Sequence, residues 1–320
     1  MKRPHIVFLD AHTLNPGDLD WKCIKDLGEF TAYERTEREN IISRSIEADI
    51  IITNKTVLRR EHFEKLPKLR LICVAATGFD VIDVAAAREF GIPVCNCAGY
   101  GTRAVAQMVV AHLLEVANRV GHYTAACHSG FWSQQNDFCS WNNPLMELQD
   151  KKMGVIGFGN IGREVINLLR PFGMLLFAVT SKTQQSLPAD VCKVTLEEAF
   201  SQCDVISLHC PLMENNKKMV NEQLLNQAKK GLILINTARG KLIDETAVAK
   251  ALEEGRLGAF CCDVLSKEPP EEDNPILSSP NTFITPHIAW ATPEARQRIL
   301  EIIVNNIKSF QTGTPINVVN

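Results

Sequence analysis

The sequence predicts an α/β protein in which helices cover both faces of parallel sheets. From about residue 150 onward, short runs that are apolar throughout alternate with segments of helical periodicity, and such runs are typical of strands buried on both faces. A glycine-rich turn joins the first of these runs to the first helical segment. The length of 320 residues exceeds one small domain and suits two domains, each with its own core.

The middle of the chain carries the clearest pattern of elements. A strand is predicted in KKMGVIGFG and a helix in NIGREVINLLRPFG, which Gly173 ends and Pro171 is expected to bend. The residues predicted to cap further helices are Thr195, in a capping box with Glu198, Asn221 and Asp244. The other strands predicted here are MLLFAV (174–179), DVISLHCP (204–211), LILINT (232–237), GAFCCDV (258–264) and NTFITP (281–286).

The two ends of the chain repeat this style more loosely. The strands predicted in the first hundred residues are HIVFLD, LGEFTAY, ADIIITN, LRLICVAATG and IPVCN. Residues 102–127 continue as one long helical pattern, which suits a helix buried between two lobes. The last helix, ARQRILEIIVNNIKSFQTG, carries an isoleucine stripe and is expected to pack back on the first lobe.

Composition excludes several classes of function. A net charge of −3 and a pI near 6.3 provide no electrostatic surface for nucleic acid or for an anionic membrane. No apolar run approaches the roughly 20 residues of a membrane span, and none at the start resembles a signal peptide. The eleven cysteines lack the C-x₂-C spacing of zinc sites, so we expect free thiols, no metal and a cytoplasmic protein.

The glycine-rich turn predicts a dinucleotide site. It reads G-F-G-N-I-G and comprises Gly157, Phe158, Gly159, Asn160, Ile161 and Gly162. Between a strand and a helix, the first glycine permits a tight turn, the second lets the backbone approach a pyrophosphate, and the third lets helix pack on strand. The helix N-terminus offers N–H groups and a positive dipole end to the anion. These features predict a Rossmann-like, doubly wound lobe.

The sequence leaves open whether the cofactor is NAD or NADP. An acid is expected at the end of the second strand to hold the ribose 2′-hydroxyl, but Thr180, Ser181 and Lys182 stand there instead. A 2′-phosphate would meet no repulsion from these residues, although no arginine offers a bidentate grip. Lys182 is also consistent with a solvated loop lysine.

Three charged residues follow successive strands of this sheet. Arg239 lies in NTARG, Glu268 in DVLSKEPP and His287 in TPHIAWAT, each after the carboxyl end of a strand, where doubly wound sheets bind their ligands. Arg239 can grip a carboxylate with two parallel hydrogen bonds. His287 can exchange a proton with a ketone oxygen, and Glu268 can fix its tautomer and favour its protonated form. A buried ion-pair network is the structural alternative.

The sequence resembles the D-isomer-specific 2-hydroxyacid dehydrogenases over nearly its whole length. The motifs that carry the resemblance are LDAHTLNPGDLDW, TNK (53–55), ATGFDVID (76–83), GFGNIG, NTARG, DVLSKEPP and TPHIAWAT. DFCSWNNPLMEL, TNK and Trp290 favour the glycerate dehydrogenase, or hydroxypyruvate reductase, branch. The resemblance implies two Rossmann-like lobes with the site in their cleft, and a homodimer. A discontinuous substrate lobe would comprise residues 1–99 and 288–320, and the inserted nucleotide lobe residues 100–287.

The resemblance also implies roles for individual residues. Arg239, Glu268 and His287 would be the catalytic trio. Residues near the substrate would be Asn54, Lys55, Gly78, Phe79 and Trp290, with the Gly78 and Phe79 amides facing its carboxylate. Residues lining the cofactor would be Thr77, Cys210, Pro211, Thr237, Ala238 and Asp263, with Asp263 facing the nicotinamide amide. Many relatives have an acid at the position of Thr180, so NAD specificity does not follow from the resemblance.

Two alternatives to hydroxypyruvate reduction are consistent with the sequence. One is a reductase of another 2-keto acid, such as glyoxylate, phosphohydroxypyruvate or pyruvate, the keto acid that corresponds to lactate. The other is a non-enzymatic, NAD-sensing corepressor that uses the same fold to recruit partners. The absence of extended polar tails and the motifs named above favour the enzyme.

Overall fold

A computed structural model describes residues 3–320, and its backbone divides into two compact units. The first comprises the described residues up to Gly101 together with Trp290–Asn320, and the second comprises Thr102–Ala289. Each unit contains one sheet, and every ladder between named strands of these sheets is parallel. The predicted α/β class with two doubly wound parallel sheets is therefore confirmed.

The first unit begins with five short strands and four short helices. In chain order they are β1 (His5–Phe8), α1 (Lys22–Lys25), β2 (Glu29–Ala32), α2 (Ile41–Ser45), β3 (Ile50–Thr53), α3 (Arg60–Phe63), β4 (Leu71–Val74), α4 (Val84–Glu89) and β5 (Val94–Cys95). The strand order in the sheet is β2-β1-β3-β4-β5. Successive residues of one strand, such as Ile50 and Ile51, enter cores on opposite faces. Both faces are therefore covered, which is why these strands are apolar throughout.

The second unit holds the larger sheet. Its elements are α5 (Thr102–Asn118), α6 (Val120–His128), β6 (Lys152–Ile156), α7 (Asn160–Leu169), β7 (Leu175–Val179), β8 (Val191–Lys193), α8 (Leu196–Gln202), β9 (Val205–Leu208), α9 (Glu222–Asn226), β10 (Leu232–Asn236), α10 (Glu245–Glu253), β11 (Leu257–Cys262), α11 (Pro275–Ser278) and β12 (Thr282–Ile284). The strand order is β12-β11-β10-β9-β6-β7-β8. The order reverses at β6, so the carboxyl end of β6 lies at the switch point where such sheets bind ligands.

The last helix, α12 (Pro293–Gln311), returns to the first unit. Its side chains Ile299, Leu300, Ile303 and Ile307 are fully buried in the same core as β1 and β3. The predicted packing of this helix on the first lobe is confirmed. Thr292 caps it by accepting a hydrogen bond from the Ala295 amide.

Three sequence predictions about local structure need correction. The long helical pattern of residues 102–127 breaks at Arg119, which has φ +52 and separates α5 from α6. Pro171 does not bend α7, because the α-helix ends at Leu169 and the proline occupies a 3₁₀ turn that Gly173 closes with φ +71. Strand β8 was not predicted, since three residues at a sheet edge are too short for a periodic pattern. The caps at Thr195, Asn221 and Asp244 are confirmed.

None of the helices within residues 3–320 is long and apolar enough to cross a membrane.

Candidate functional site

The glycine turn after β6 is packed tightly on one side and open on the other. Gly157 has φ +99, and a Cβ there would lie 2.7 Å from the Cys210 amide nitrogen. A Cβ on Gly162 would lie 2.1 Å from the Gly157 carbonyl oxygen, so only glycine lets α7 start this close to the strand. A Cβ on Gly159 would meet nothing within 4 Å. The open position is the one where a pyrophosphate must approach the backbone.

The first turn of α7 fits an anion. Gly159 is its N-cap, and within the described chain no side chain caps the helix. Asn160 instead accepts a hydrogen bond from the Arg163 guanidinium at 2.8 Å, which leaves the first backbone amides to other acceptors. Ile161 is half-buried against the core beneath the turn. Backbone amides and the positive helix end together suit a phosphate.

Two lysines and two hydroxyl residues surround the end of β7. The Thr180 hydroxyl accepts a hydrogen bond from the Lys182 amide at 3.2 Å, and Ser181 is exposed. The Lys182 ammonium lies 5.5 Å from the centroid of the Phe158 ring, so it sits over the glycine turn. The Lys193 ammonium, which sequence reasoning missed, donates to the Lys182 carbonyl at 2.6 Å. This end of the strand is therefore positively charged.

The end of β9 forms the opposite wall of the glycine turn. Cys210 is half-buried, and burial raises the pKa of its thiol, so it behaves as a small apolar group here. Pro211 follows at the surface. The ring of His209 hydrogen-bonds Ser207 at 2.8 Å, and desolvation lowers the pKa of His209 to about 3. His209 is therefore neutral and supports the wall rather than carrying charge.

The turn after β10 is organised by Asn236, which is fully buried. Its side chain donates to the Arg239 carbonyl at 3.0 Å and accepts from the Ala238 amide at 3.1 Å. Arg239 is exposed, and its guanidinium donates to the Ala238 carbonyl at 2.7 Å. The Thr237 hydroxyl is buried, and no described residue hydrogen-bonds it. An unpaired buried hydroxyl is costly, so this atom fits a polar group of a ligand.

The turns after β10 and β11 pack directly against each other. A Cβ on Gly240 would lie 1.9 Å from the Leu265 carbonyl carbon and 2.3 Å from the Ser266 amide nitrogen. Glycine at this position thus lets the chain that carries Arg239 reach the chain that carries Glu268. The Leu265 amide in turn donates to Glu268 Oε1 at 3.0 Å, which fixes that carboxylate.

His287 and Glu268 form a hydrogen-bonded pair. The Nδ1–Oε2 distance is 2.6 Å, and both side chains are about one-third exposed. His287 has φ +56, a conformation uncommon for a residue other than glycine, and its amide donates to the Thr285 carbonyl at 3.0 Å. The structure therefore brings these two residues together on loops that follow β11 and β12, with Arg239 on the loop after β10.

Asp263 lies beneath the His287 loop and is almost fully buried. Its carboxylate accepts hydrogen bonds from the Thr285 hydroxyl at 2.6 Å and from the Ile288 and Ala289 amides at 2.9 Å each. The predicted role of Asp263, facing a nicotinamide amide, stays a prediction. The contacts that the structure gives its oxygens hold the loop on both sides of His287.

In the first unit, a buried carboxylate shapes the loop of Asn54 and Lys55. Asp10 accepts from the Asn54 amide at 2.8 Å, from the Lys55 amide at 2.5 Å and from the Thr56 amide at 2.7 Å. The Asn54 side chain is buried and donates to the Thr13 hydroxyl at 2.9 Å, whereas Lys55 is exposed. The loop is therefore held by its backbone, which leaves the Lys55 side chain in solvent.

The other predicted residues of the first unit lie after β4 and before α12. Thr77 is exposed, and its hydroxyl donates to the Cys97 carbonyl at 3.2 Å. Gly78 and Phe79 follow, both half-buried, with Phe79 packed against the core. Trp290 packs edge-to-face on Tyr100 with ring centroids 6.3 Å apart.

Sequence reasoning missed the residues that hold the site loops in place. They are Asp10, Asn236, Gly240 and Thr285. Each stands within a quoted motif, so the motif was a signal. Asn236 holds its own turn, whereas Asp10, Gly240 and Thr285 contact parts of the chain more than 20 positions away. Within residues 3–320, no group of His, Cys, Asp or Glu is arranged to hold a metal ion.

Comparisons with known proteins show which family this chain is similar to. The family model described as D-isomer specific 2-hydroxyacid dehydrogenase, NAD binding domain, matches residues 110–289. The hydroxypyruvate reductase of Blautia hydrogenotrophica is 46% identical over 319 residues, covering 98% of this chain and 99% of that protein. The glycerate dehydrogenase of Methylorubrum extorquens is 36% identical over 317 residues, covering 98% of each. The structure of an acyclic imino acid reductase in complex with NADPH and D-arginine is 30% identical, with a TM-score of 0.85, covering 99% of this chain and 100% of that chain.

Proposed function

Because this chain belongs to the D-isomer-specific 2-hydroxyacid dehydrogenases, we propose that it interconverts hydroxypyruvate and D-glycerate with a nicotinamide cofactor. The observation that carries the proposal is the 2.6 Å pair of His287 and Glu268 in the same unit as the glycine turn. The names of two relatives, a hydroxypyruvate reductase and a glycerate dehydrogenase, support this choice of substrate. Thr102–Ala289 is assigned to the cofactor and the other unit to the substrate.

We assign the proton transfer of this reaction to His287. Glu268 accepts the Nδ1 proton, so the imidazole keeps one tautomer and the acid–base role falls to Nε2. As the ketone is reduced, the imidazolium gives its proton to the developing alkoxide, and in oxidation the neutral ring takes it back. The nearby carboxylate stabilises the imidazolium in either direction. The chemistry that the nicotinamide supplies when bound is the hydride delivered to, or taken from, C2 of the acid.

We assign binding of the substrate carboxylate to Arg239 and to residues of the first unit. A guanidinium offers two parallel hydrogen bonds to a carboxylate and polarises the adjacent ketone. The Ala238 carbonyl that Arg239 contacts is a neutral acceptor, so a carboxylate can compete for the guanidinium. The backbone amides of Gly78 and Phe79 would face the same carboxylate, with Asn54, Lys55 and Trp290 contributing to the substrate site.

The cofactor site is assigned to residues of the second unit, with Thr77 contributing from the first. The residues are Thr77, Gly157, Phe158, Gly159, Asn160, Ile161, Gly162, Thr180, Ser181, Lys182, Cys210, Pro211, Thr237, Ala238, Arg239, Asp263 and His287. The buried Thr237 hydroxyl and the open face of Gly159 support the assignment. The lysines at the end of β7 favour acceptance of a 2′-phosphate, so NADPH as well as NADH is proposed as a cofactor.

A carboxylate at position 180 tests the cofactor proposal. Thr180→Asp should repel a 2′-phosphate and accept a hydrogen bond from a ribose 2′-hydroxyl. The affinity for NADPH, measured by titration calorimetry, should fall by about tenfold or more relative to NADH, on the scale of one lost charge interaction. Equal ratios of the two affinities in the variant and in the parent protein would overturn it.

A homodimer and a cytoplasmic location are also proposed. Trp132, Phe138, Trp141 and Leu145 are exposed within one segment, and Phe138 is 88% exposed. Large exposed apolar side chains in one segment are typical of an interface, and a second copy is the occupant that the family resemblance favours. All eleven cysteines are free, which fits a reducing compartment. Sedimentation velocity of the parent protein and of Trp141→Glu tests the dimer: a monomeric parent would contradict it.

The decisive assay follows the absorbance of reduced nicotinamide with hydroxypyruvate as substrate. Parallel reactions with NADH and NADPH, and with glyoxylate and pyruvate in place of hydroxypyruvate, rank the substrates by kcat/KM. We expect the highest kcat/KM with hydroxypyruvate. A higher value with glyoxylate or pyruvate would reassign the substrate, and no turnover with any of them would contradict the proposed reaction.

A further inference from the structure

A buried chain of hydrogen bonds leads from helix α5 to the loop of His287. His112, on α5, is 6% exposed, and its Nε2 lies 3.2 Å from the Thr285 hydroxyl oxygen. That oxygen lies 2.6 Å from Asp263 Oδ1. Asp263 then accepts the amides of Ile288 and Ala289, which directly follow His287. All of these residues belong to the second unit.

The directions of these hydrogen bonds follow from the number of protons. The Asp263 carboxylate can only accept, so the single hydroxyl proton of Thr285 is donated to it. The Thr285 oxygen must then accept from His112, whose proton is thereby placed on Nε2. Burial lowers the pKa of His112, and the nearby Asp263 charge opposes this only in part, so His112 is neutral with one ring proton. That ring proton is the one that His112 donates to the Thr285 oxygen.

We propose that His112 and Thr285 are positioning residues for the reaction. They hold Asp263 in the orientation in which it hydrogen-bonds residues on both sides of His287. These hydrogen bonds of Asp263 are needed because His287 has φ +56, which a histidine does not adopt readily without support. The inference rests on the proposed role of His287 as the acid–base residue. Neither His112 nor Thr285 is assigned a contact with substrate.

Two pairs of variants test the chain. Thr285→Val keeps the shape and removes the hydroxyl, whereas Thr285→Ser keeps the hydroxyl. His112→Leu removes the donor, whereas His112→Gln places an amide N–H near the position of Nε2. Thr285→Val should lower kcat by about tenfold, the scale of a hydrogen bond to a charged group, and His112→Leu by about threefold, the scale of a neutral one. The conservative variants should retain the parent kcat.

The readouts separate positioning from a general loss of stability. We expect KM for substrate to stay unchanged in all four variants, and the Ile288 and Ala289 amides to exchange with solvent faster in Thr285→Val and His112→Leu. His62→Leu is the matched control, because His62 is another buried histidine and accepts a backbone amide at 3.0 Å in the first unit. It should lower the melting temperature without changing kcat or this exchange.

The outcomes are distinguishable from failure of the proposed function. Unchanged amide exchange in both disruptive variants would overturn the inference, whether or not the protein turns over hydroxypyruvate. An unchanged kcat in a protein that does turn over, or equal losses in the disruptive and conservative members of each pair, would also overturn it. If Thr285→Val does not fold, the His112 pair alone decides by the same criteria.

Discussion

The contact of Gly240 with the loop of Glu268 makes a sharp prediction about activity. A Cβ at this position would lie 1.9 Å from the Leu265 carbonyl carbon, and the obstacle is backbone, which has no rotamer to change. Carbon atoms pack at about 3.5–4.0 Å, so Gly240→Ala must push the two turns apart by roughly 1 Å or more. Arg239 is the neighbour of Gly240 and Glu268 follows Leu265, so Arg239 shifts relative to the His287–Glu268 pair.

The size of the effect follows from that displacement. A misplacement of about 1 Å in a catalytic arrangement can cost on the order of 10²-fold, so kcat/KM with hydroxypyruvate should fall by about that factor. Overpacking should also cost about 1–3 kcal/mol of stability. Steady-state kinetics with saturating cofactor gives kcat/KM, and thermal denaturation gives the stability.

Gly258→Ala is the matched control. A Cβ there would lie 2.5 Å from the Gly231 carbonyl oxygen, so it too collides with backbone, but at the amino-terminal end of the β10–β11 pair. It should lower the melting temperature and leave kcat/KM unchanged. Full kcat/KM in Gly240→Ala, or a loss of activity in both variants only in proportion to stability, would contradict the predicted displacement of Arg239.

Arg239→Lys should lower kcat/KM by about tenfold or more, because an ammonium cannot make two parallel hydrogen bonds to a carboxylate; unchanged kcat and KM would exclude that role. A Cβ at position 159 would meet nothing within 4 Å, so the melting temperature of Gly159→Ala should equal that of the parent protein. Calorimetry should show a cofactor affinity about tenfold weaker, because the methyl group would occupy the space where the pyrophosphate approaches the backbone. An affinity equal to that of the parent would contradict the proposed role of this open position. Burial lowers the pKa of His209 to about 3. Below about pH 6.5 the unfolded chain therefore binds a proton at this residue that the folded chain does not bind, and stability is lost as pH falls toward 3. Between pH 7 and pH 5 this residue should cost about 2 kcal/mol, and urea denaturation of His209→Gln should show a smaller loss; an equal loss would contradict it.

The sequence predicted the elements whose signals are local. Apolar runs such as that of β10 and caps such as Thr195 depend on neighbouring residues, and the structure confirms them. The break at Arg119 was missed because the left-handed position is occupied by an arginine, whereas glycine is the residue that usually marks this conformation. The family resemblance was confirmed by the matching family model and by the relatives.

The supports of the site could not be predicted, because they join distant parts of the chain. His112 reaches Thr285 across 173 positions in sequence. Asp10 holds the Asn54 loop across 44 positions. A single sequence shows each of these as an ordinary helix or loop residue, and only folding brings the partners together.

The acid–base role of His287 is tested most directly by His287→Asn, since asparagine tolerates the left-handed backbone at φ +56 better than most residues. The measurement is the single-turnover rate of hydroxypyruvate reduction, with cofactor affinity determined separately. If His287 is the acid–base residue, the rate should fall by about 10² or more, with cofactor affinity unchanged. A rate equal to that of the parent protein would contradict it.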